Sequence, residues 1–126
     1  MTYFDPASKG LVDAPGRALP KLSQIQLVDS SEDGSKVLVH AGADNDAGRY
    51  LLFDKATKKL GQLLPSRPEL EQRALASVQS ITYTARDGVA VPAYLTLPPG
   101  REAGRGLPIV ILPHGGPAAR DEWGFD

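Results

Sequence analysis

Four short apolar runs separated by polar connections dominate the first half of the chain. The runs lie at 24–29, 36–41, 49–54 and 60–64, and the connections between them are rich in Asp, Ser, Gly and Lys. Runs of this length bounded by turn residues are typical of strands. Asp33-Gly34 in the first connection supplies the positive φ that a tight hairpin needs. The pattern therefore predicts one antiparallel meander of four strands.

A four-stranded meander is the unit of a β-propeller blade. Propellers close with typically 4–8 blades, and the 126 residues contain no second copy of the pattern. The sequence thus predicts at most one blade. An ordinary hairpin-rich β domain is the alternative for this segment.

Prolines at 65 and 68 end the meander pattern, and the segment that follows is rich in helix-forming residues. Glu69 to Ala76 places Leu70 and Leu75 nearly on one face, which predicts a linker helix within 67–78. Upstream of the meander, closely spaced prolines and glycines allow only a brief helix across 7–14.

A second β pattern follows the linker. Apolar and polar residues alternate over 79–85 and again over 89–97, with Arg86-Asp87-Gly88 between them. Asp-Gly between two alternating runs is a strong hairpin signal. Pro92 cannot donate to a strand ladder, so we expect it at an edge or a bulge.

The segment after this hairpin has a different hydrophobic pattern. Ile109 to Leu112 is a continuous apolar run with three β-branched residues, followed directly by His114-Gly115-Gly116-Pro117. Such a run is typical of a strand covered on both faces, as in parallel α/β sheets. In α/β-hydrolases, a Gly-Gly turn after the third strand provides one backbone N–H of the oxyanion hole.

Composition narrows the classes of function. With 14 basic and 15 acidic residues, the chain has no electrostatic footprint for nucleic acid or an anionic membrane. It has no Cys, which excludes disulfides, thiolate metal sites and a Cys nucleophile, and which leaves the compartment undetermined between cytoplasm and periplasm. The longest apolar run is far too short to span a membrane.

The chain resembles the prolyl oligopeptidase family of serine peptidases, particularly its acylaminoacyl-peptidase-like branch, in three features: the meander that ends in a short linker helix, the hairpin over 83–95, and His114-Gly115-Gly116-Pro117. The resemblance implies a β-propeller followed by an α/β-hydrolase domain. On this basis we expect 1–66 to be the end of the propeller, 67–78 the linker helix, and 79–126 the N-terminal hairpin and third strand of the catalytic domain. The fold expected for this part of the chain is therefore mainly β.

The resemblance also implies roles for the loop. The backbone N–H of Gly116 would donate to the oxyanion, Gly115 would allow close approach of the substrate, and His114 and Pro117 would hold the loop's shape. His114 is out of sequence as a general base, because the triad of this fold runs Ser, Asp or Glu, then His. A peptide substrate is expected, with no cofactor and no metal.

Other polar residues have structural interpretations. His40 lies on a predicted strand and is expected to be packed or solvent-facing. The clusters Glu32-Asp33 and Asp44-Asn45-Asp46 are typical of turns rather than of acid–base pairs or a calcium loop. For the charged segment 120–123, a solvated turn with Trp123 packed against the sheet is favoured over a direct substrate contact.

No Gly-x-Ser-x-Gly nucleophile motif occurs, and every Ser precedes the Gly-Gly turn. One oxyanion donor contributes about 10²–10³ in rate, whereas loss of a triad nucleophile costs on the order of 10⁶. We therefore expect a fragment of a serine peptidase that is inactive alone. A carboxylesterase fragment and a non-catalytic β interaction module remain alternatives, while substrate preference and oligomeric state are undetermined.

Overall fold

The computed structural model describes residues 17–101 and 103–125, and this part of the chain is mainly β. The mainly β fold expected from the sequence is confirmed. The brief helix expected across 7–14 lies outside the described residues. The elements are β1 (Gln24–Ser30), β2 (Lys36–Ala43), β3 (Asp46–Asp54), β4 (Lys59–Pro65), a 3₁₀ helix (Pro68–Leu70), β5 (Val78–Thr84) and β6 (Ala90–Thr96).

The first four strands form one antiparallel sheet in the order β1-β2-β3-β4, as the alternation of runs and turns predicts. β2 pairs with β3 from Lys36 opposite Asp54 to Ala43 opposite Asp46. Each of the three strand pairs contains one register shift. Since each strand follows its neighbour directly in sequence, short turns suffice to build the sheet.

The core of the meander lies on one face of β2. Val37, Val39 and Ala41 alternate along this strand and are fully buried, while the residues between them are partly exposed. Leu51 of β3, opposite Val39, is 4% exposed and joins the same core. Leu22, just before β1, packs with Ala41 and Leu51. The period of two in β2 thus places its β-branched residues where neighbouring strands cover them.

Gly48 is required where β3 begins. Its φ is +83°, and a Cβ there would lie 2.6 Å from the His40 ring and 2.9 Å from the Ala41 carbonyl oxygen. Any other residue would combine an unfavourable backbone conformation with a steric conflict. The close approach of β3 to β2 at this point therefore depends on the absence of a side chain.

β5 and β6 form a separate two-stranded antiparallel sheet. The turn between them has Gly88 at φ +87°, and Ala85 N donates to Val89 O at 2.8 Å. This confirms the hairpin that Asp87-Gly88 predicts. Pro92 lies opposite Thr82 in a sheet where both strands are edges, so its missing N–H is tolerated as expected.

The linker helix predicted within 67–78 is wrong in kind and extent. Only the 3₁₀ helix forms, followed by turn and irregular backbone up to β5. Leu70, Glu71 and Arg73 each donate to the carbonyl three residues earlier, which is turn geometry rather than α-helical pairing. An eight-residue helix is marginal without packing, and no residue of the 3₁₀ helix is buried.

The strand predicted at Ile109 to Leu112, as the third strand of the hydrolase domain, does not form. The backbone there has no ladder partner among the described residues, and the four side chains are 78–80% exposed. A strand is defined by pairing, and both described sheets are complete without this segment. Apolar character alone therefore does not produce a strand.

Candidate functional site

The His-Gly-Gly-Pro loop lies exposed at the end of the apolar segment. The His114 ring contacts its own loop, with Nδ1 donating to the Gly115 carbonyl oxygen at 2.6 Å. The Gly116–Pro117 peptide bond is cis. All four residues of the loop are exposed.

The two loop glycines leave the backbone open to approach. A Cβ placed on Gly115 would meet no heavy atom within 4 Å, and one on Gly116 would meet only the Ala118 backbone N, at 3.7 Å. Among the described residues, no carbonyl accepts from either glycine N–H. Both N–H groups can therefore reach a molecule brought to the loop.

Trp123 lies against the start of β5. Its indole Nε1 donates to the Val78 carbonyl oxygen at 3.0 Å, and its own carbonyl oxygen accepts from Gln24 Nε2 at 2.6 Å. The side chain is 37% exposed. The contact with a sheet expected for Trp123 is present through this hydrogen bond to β5, while the residue itself stays exposed rather than packed.

The β2–β3 turn also reaches β5, a contact that sequence reasoning missed. Asp44 Oδ2 accepts from Val78 N at 2.7 Å, and Asn45 Nδ2 donates to Ser77 Oγ at 3.1 Å. Asp44 and Asn45 are typical turn residues, so nothing local distinguishes them from ordinary turn chemistry. Only the folded arrangement shows that they connect the meander to the hairpin.

His40 is a packed histidine, one of the two outcomes expected from its place on a strand. Its Nε2 shares a hydrogen bond with Ser66 Oγ at 2.9 Å. Its ring meets the Tyr50 ring edge-on, with the centroids 5.1 Å apart. These contacts use the imidazole to hold β2, β3 and the residue after β4 together.

The acidic residues in the first and third turns act on the turns themselves. Asp33 accepts from the Ser31 hydroxyl and from the Ser35 backbone N–H and hydroxyl, and these bonds lower the pKa of Asp33 to about 2. A bond from the Thr57 backbone N–H likewise lowers the pKa of Asp54. A carboxyl held in its charged form by turn N–H groups is a cap rather than a general acid.

A shallow cavity lies between the β2–β3 turn and the segment after β4. Arg49, Arg67 and Arg73 line it together with Asp46 and Glu71. Arg49 pairs with Asp46 at 2.7 Å, and the Arg49 Nε is buried without a partner. Carboxylates thus accompany the guanidinium groups, and the lining carries no strong excess of either charge.

Two relatives share sequence with this chain. It is 34% identical over 82 residues to dipeptidyl aminopeptidase BIII of Pseudoxanthomonas mexicana, covering 60% of this chain and 12% of the relative. It is 29% identical over 121 residues to dipeptidyl peptidase family member 6 of Caenorhabditis elegans, covering 80% of this chain and 16% of the relative. The chain thus spans less than a fifth of either relative, and both similarities support a peptidase family.

No protein-family model matches the chain, and no solved structure does. In the described part of the chain, no helix is long and apolar enough to cross a membrane. The same residues contain no group of three or more His, Cys, Asp or Glu side chains arranged to hold a metal ion.

Proposed function

We propose that this chain is part of a serine peptidase of the prolyl oligopeptidase type, in which it contributes one oxyanion-hole donor. Residues 1–66 end the propeller, 67–78 link the two domains, and 79–126 begin the α/β-hydrolase domain. The nucleophile and its partners belong to the longer protein, consistent with the small share of each relative that this chain covers.

One observation carries the proposal. Two glycines with unengaged N–H groups follow an apolar segment, in a chain similar to one protein named as a dipeptidyl aminopeptidase and one named as a dipeptidyl peptidase family member. Those names extend the proposal to a substrate class, peptides from which a dipeptide is released.

In the proposed reaction the serine oxygen bonds to the substrate carbonyl carbon, its proton passes to the base of the longer protein, and the carbonyl π pair becomes negative charge on the carbonyl oxygen. Collapse of this intermediate then expels the amine of the cleaved peptide bond, which takes up the proton from the base. The Gly116 N–H donates to that oxygen, and Gly115 leaves room for the substrate backbone. The His114 contact to the Gly115 carbonyl, together with Pro117, holds the loop's shape. One such donor is worth about 2.7–4 kcal/mol of transition-state stabilisation.

The first experiment compares the 126-residue chain with the longer protein encoded by the same gene. A fluorophosphonate probe, which labels activated serines, should leave this chain unlabelled and should label one Ser beyond residue 126 in the longer protein. Labelling of a Ser within the 126 residues would refute the assignment. Absence of labelling and of peptide hydrolysis in the longer protein would favour the interaction module.

A second experiment tests the donor itself in the longer protein. Gly116→Pro removes the N–H and should lower kcat about 10²–10³-fold. Gly116→Ala keeps the N–H, and its Cβ would meet only the Ala118 N at 3.7 Å, so it is the matched control with a much smaller loss. Equal losses in the two variants would contradict the role of Gly116.

The choice of substrate distinguishes the peptidase from the carboxylesterase alternative. The peptidase assignment predicts release of p-nitroaniline from a dipeptidyl anilide as the main activity. Rapid hydrolysis of short p-nitrophenyl esters with no cleavage of the anilide would establish the carboxylesterase instead.

A further inference from the structure

Both backbone polar groups of Val78 are bound by side chains from distant segments. The N–H donates to Asp44 Oδ2, 34 residues earlier, and the carbonyl oxygen accepts from Trp123 Nε1, 45 residues later. Val78 is the first residue of β5. The start of the hairpin is therefore tied both to the meander and to the segment after the Gly-Gly turn.

Trp123 is bound through its backbone as well as its ring. The Gln24 amide at the start of β1 donates to the Trp123 carbonyl oxygen at 2.6 Å. The next residue, Gly124, lies so close that a Cβ there would be 2.5 Å from Gln24 Nε2. Two hydrogen bonds and this close contact fix Trp123 against both β1 and β5.

The segment before Trp123 has no comparable attachment. From Leu107 to Glu122, the hydrogen bonds of the described chain include only the local one between His114 and Gly115. The side chains from 108 to 122 are all exposed. Trp123 is thus the first fixed point that follows the His114–Pro117 loop along the chain.

We propose that Trp123 is a positioning residue, which restricts the range of orientations of the His114–Pro117 loop by anchoring the chain to β1 and β5 six residues after Pro117. The proposal rests on the proposed function, because it assigns Trp123 to the presentation of the Gly116 N–H. Trp123 itself touches no reacting atom. Its effect follows from geometry, since a tether fixed at one end confines the loop to a smaller volume, and a confined donor needs less reorganisation when charge develops.

A spin label measures the anchoring without catalysis. The chain has no Cys, so Ala118→Cys gives a single site for a nitroxide between the loop and Trp123. Trp123→Phe keeps an aromatic ring and removes the Nε1 donor. We expect the electron paramagnetic resonance lines of the labelled Trp123→Phe variant to be narrower than those of the labelled parent, because the loop moves faster without the Nε1 hydrogen bond.

Two further variants keep this test decisive. Tyr83→Phe also removes a polar group from an aromatic residue, on the exposed face of β5, and should leave the spectrum unchanged. Gln24→Ala removes the second bond while retaining Trp123, and should narrow the spectrum even if Trp123→Phe fails to fold. Unchanged spectra in both the Gln24 and Trp123 variants would overturn the proposal.

Kinetics of the longer protein give the second readout. Trp123→Phe should lower kcat about 10-fold, with KM within about twofold of the parent, because the donor is misplaced and not removed. An unchanged kcat together with a narrowed spectrum would overturn the positioning role. If the unsubstituted longer protein has no activity, the proposed function fails, whereas the spin-label result still decides whether Trp123 fixes the loop.

Discussion

The meander and the segment from 107 to 125 use apolar residues in opposite ways. β2 places Val37 and Val39 in full burial between two neighbouring strands. Ile109 to Leu112 is a continuous run of apolar residues, yet its side chains are about four-fifths exposed. Hydrophobic sequence thus yields a core only where adjacent segments supply the other side of the contact.

The β5–β6 hairpin lies between these extremes. It has complete pairing from Val78 opposite Thr96 to Thr84 opposite Ala90, but none of its residues is buried. Two-stranded sheets are marginal in water on their own. The contacts of Val78 with Asp44 and Trp123 therefore carry more of the hairpin's placement than packing does.

Truncating one leucine in each region should give the largest contrast. Leu51→Ala should lower the free energy of unfolding by about 2–5 kcal/mol, because it opens a cavity in the core. Leu112→Ala should change it by less than about 0.5 kcal/mol, because an exposed side chain loses little contact. Urea denaturation followed by far-UV circular dichroism measures both, and equal losses would contradict the burial described above.

Glycine substitution separates backbone strain from crowding. Gly48→Ala and Gly88→Ala both place a side chain at positive φ, which costs about 1–2 kcal/mol. Only the Gly48→Ala substitution adds a steric conflict with His40 and Ala41, whereas a Cβ on Gly88 meets nothing within 4 Å. Thermal denaturation should therefore show the larger loss for Gly48→Ala, and the reverse order would be inconsistent with the packing around β3.

Amide hydrogen exchange tests the two apolar segments directly. The amides of Val37, Val39 and Ala41 should be the slowest in the chain, since they lie in the central part of the meander. Those of Ile109 to Leu112 should exchange near the rate of an unstructured peptide. Protection of 109–112 comparable with that of β2 would mean that this segment finds a strand partner in solution.

The smallest expected effect is on pH dependence. The pKa of Asp33 is lowered to about 2 from an ordinary 3.8. As the pH falls, Asp33 therefore takes up its proton in the unfolded chain before it does so in the folded chain, and the charged carboxylate stabilises the fold. That contribution is present above about pH 4 and is lost as the pH falls through about 2. Asp33→Asn should remove it, and NMR titration of Asp33 in the parent chain checks the pKa. A titration midpoint near 4 would contradict the turn bonds.

The local pattern of apolar and turn residues was sufficient to predict the strands and hairpins. The apolar runs and the two Asp-Gly turns predicted, to within a few residues, the six strands of the part of the chain that the structure describes, because each pairing joins segments adjacent in sequence. The same reasoning failed for the linker, since helix-forming residues such as Leu70 and Leu75 need a surface against which to pack. It failed for Ile109 to Leu112 because a strand needs a partner.

The candidate site was predictable only in its composition. His114 to Pro117 stand out as a motif and Trp123 is expected against a sheet, whereas nothing in the sequence identifies Val78 as the partner of Asp44 or of Trp123. Those contacts join residues 34 and 45 positions apart, and neither residue type is unusual in its local setting. Three-dimensional proximity was needed to connect them.

The hydrogen bond between Gln24 and Trp123 joins positions 99 residues apart. During synthesis, the meander can therefore fold while Trp123 has not yet been added to the growing polypeptide. Closing so long a loop carries an entropic cost that rises only slowly with length, and an already formed sheet removes most of the chain that would otherwise have to be ordered. Trp123 can then attach to β1 of a sheet whose strands all end at least 58 residues before it in the sequence.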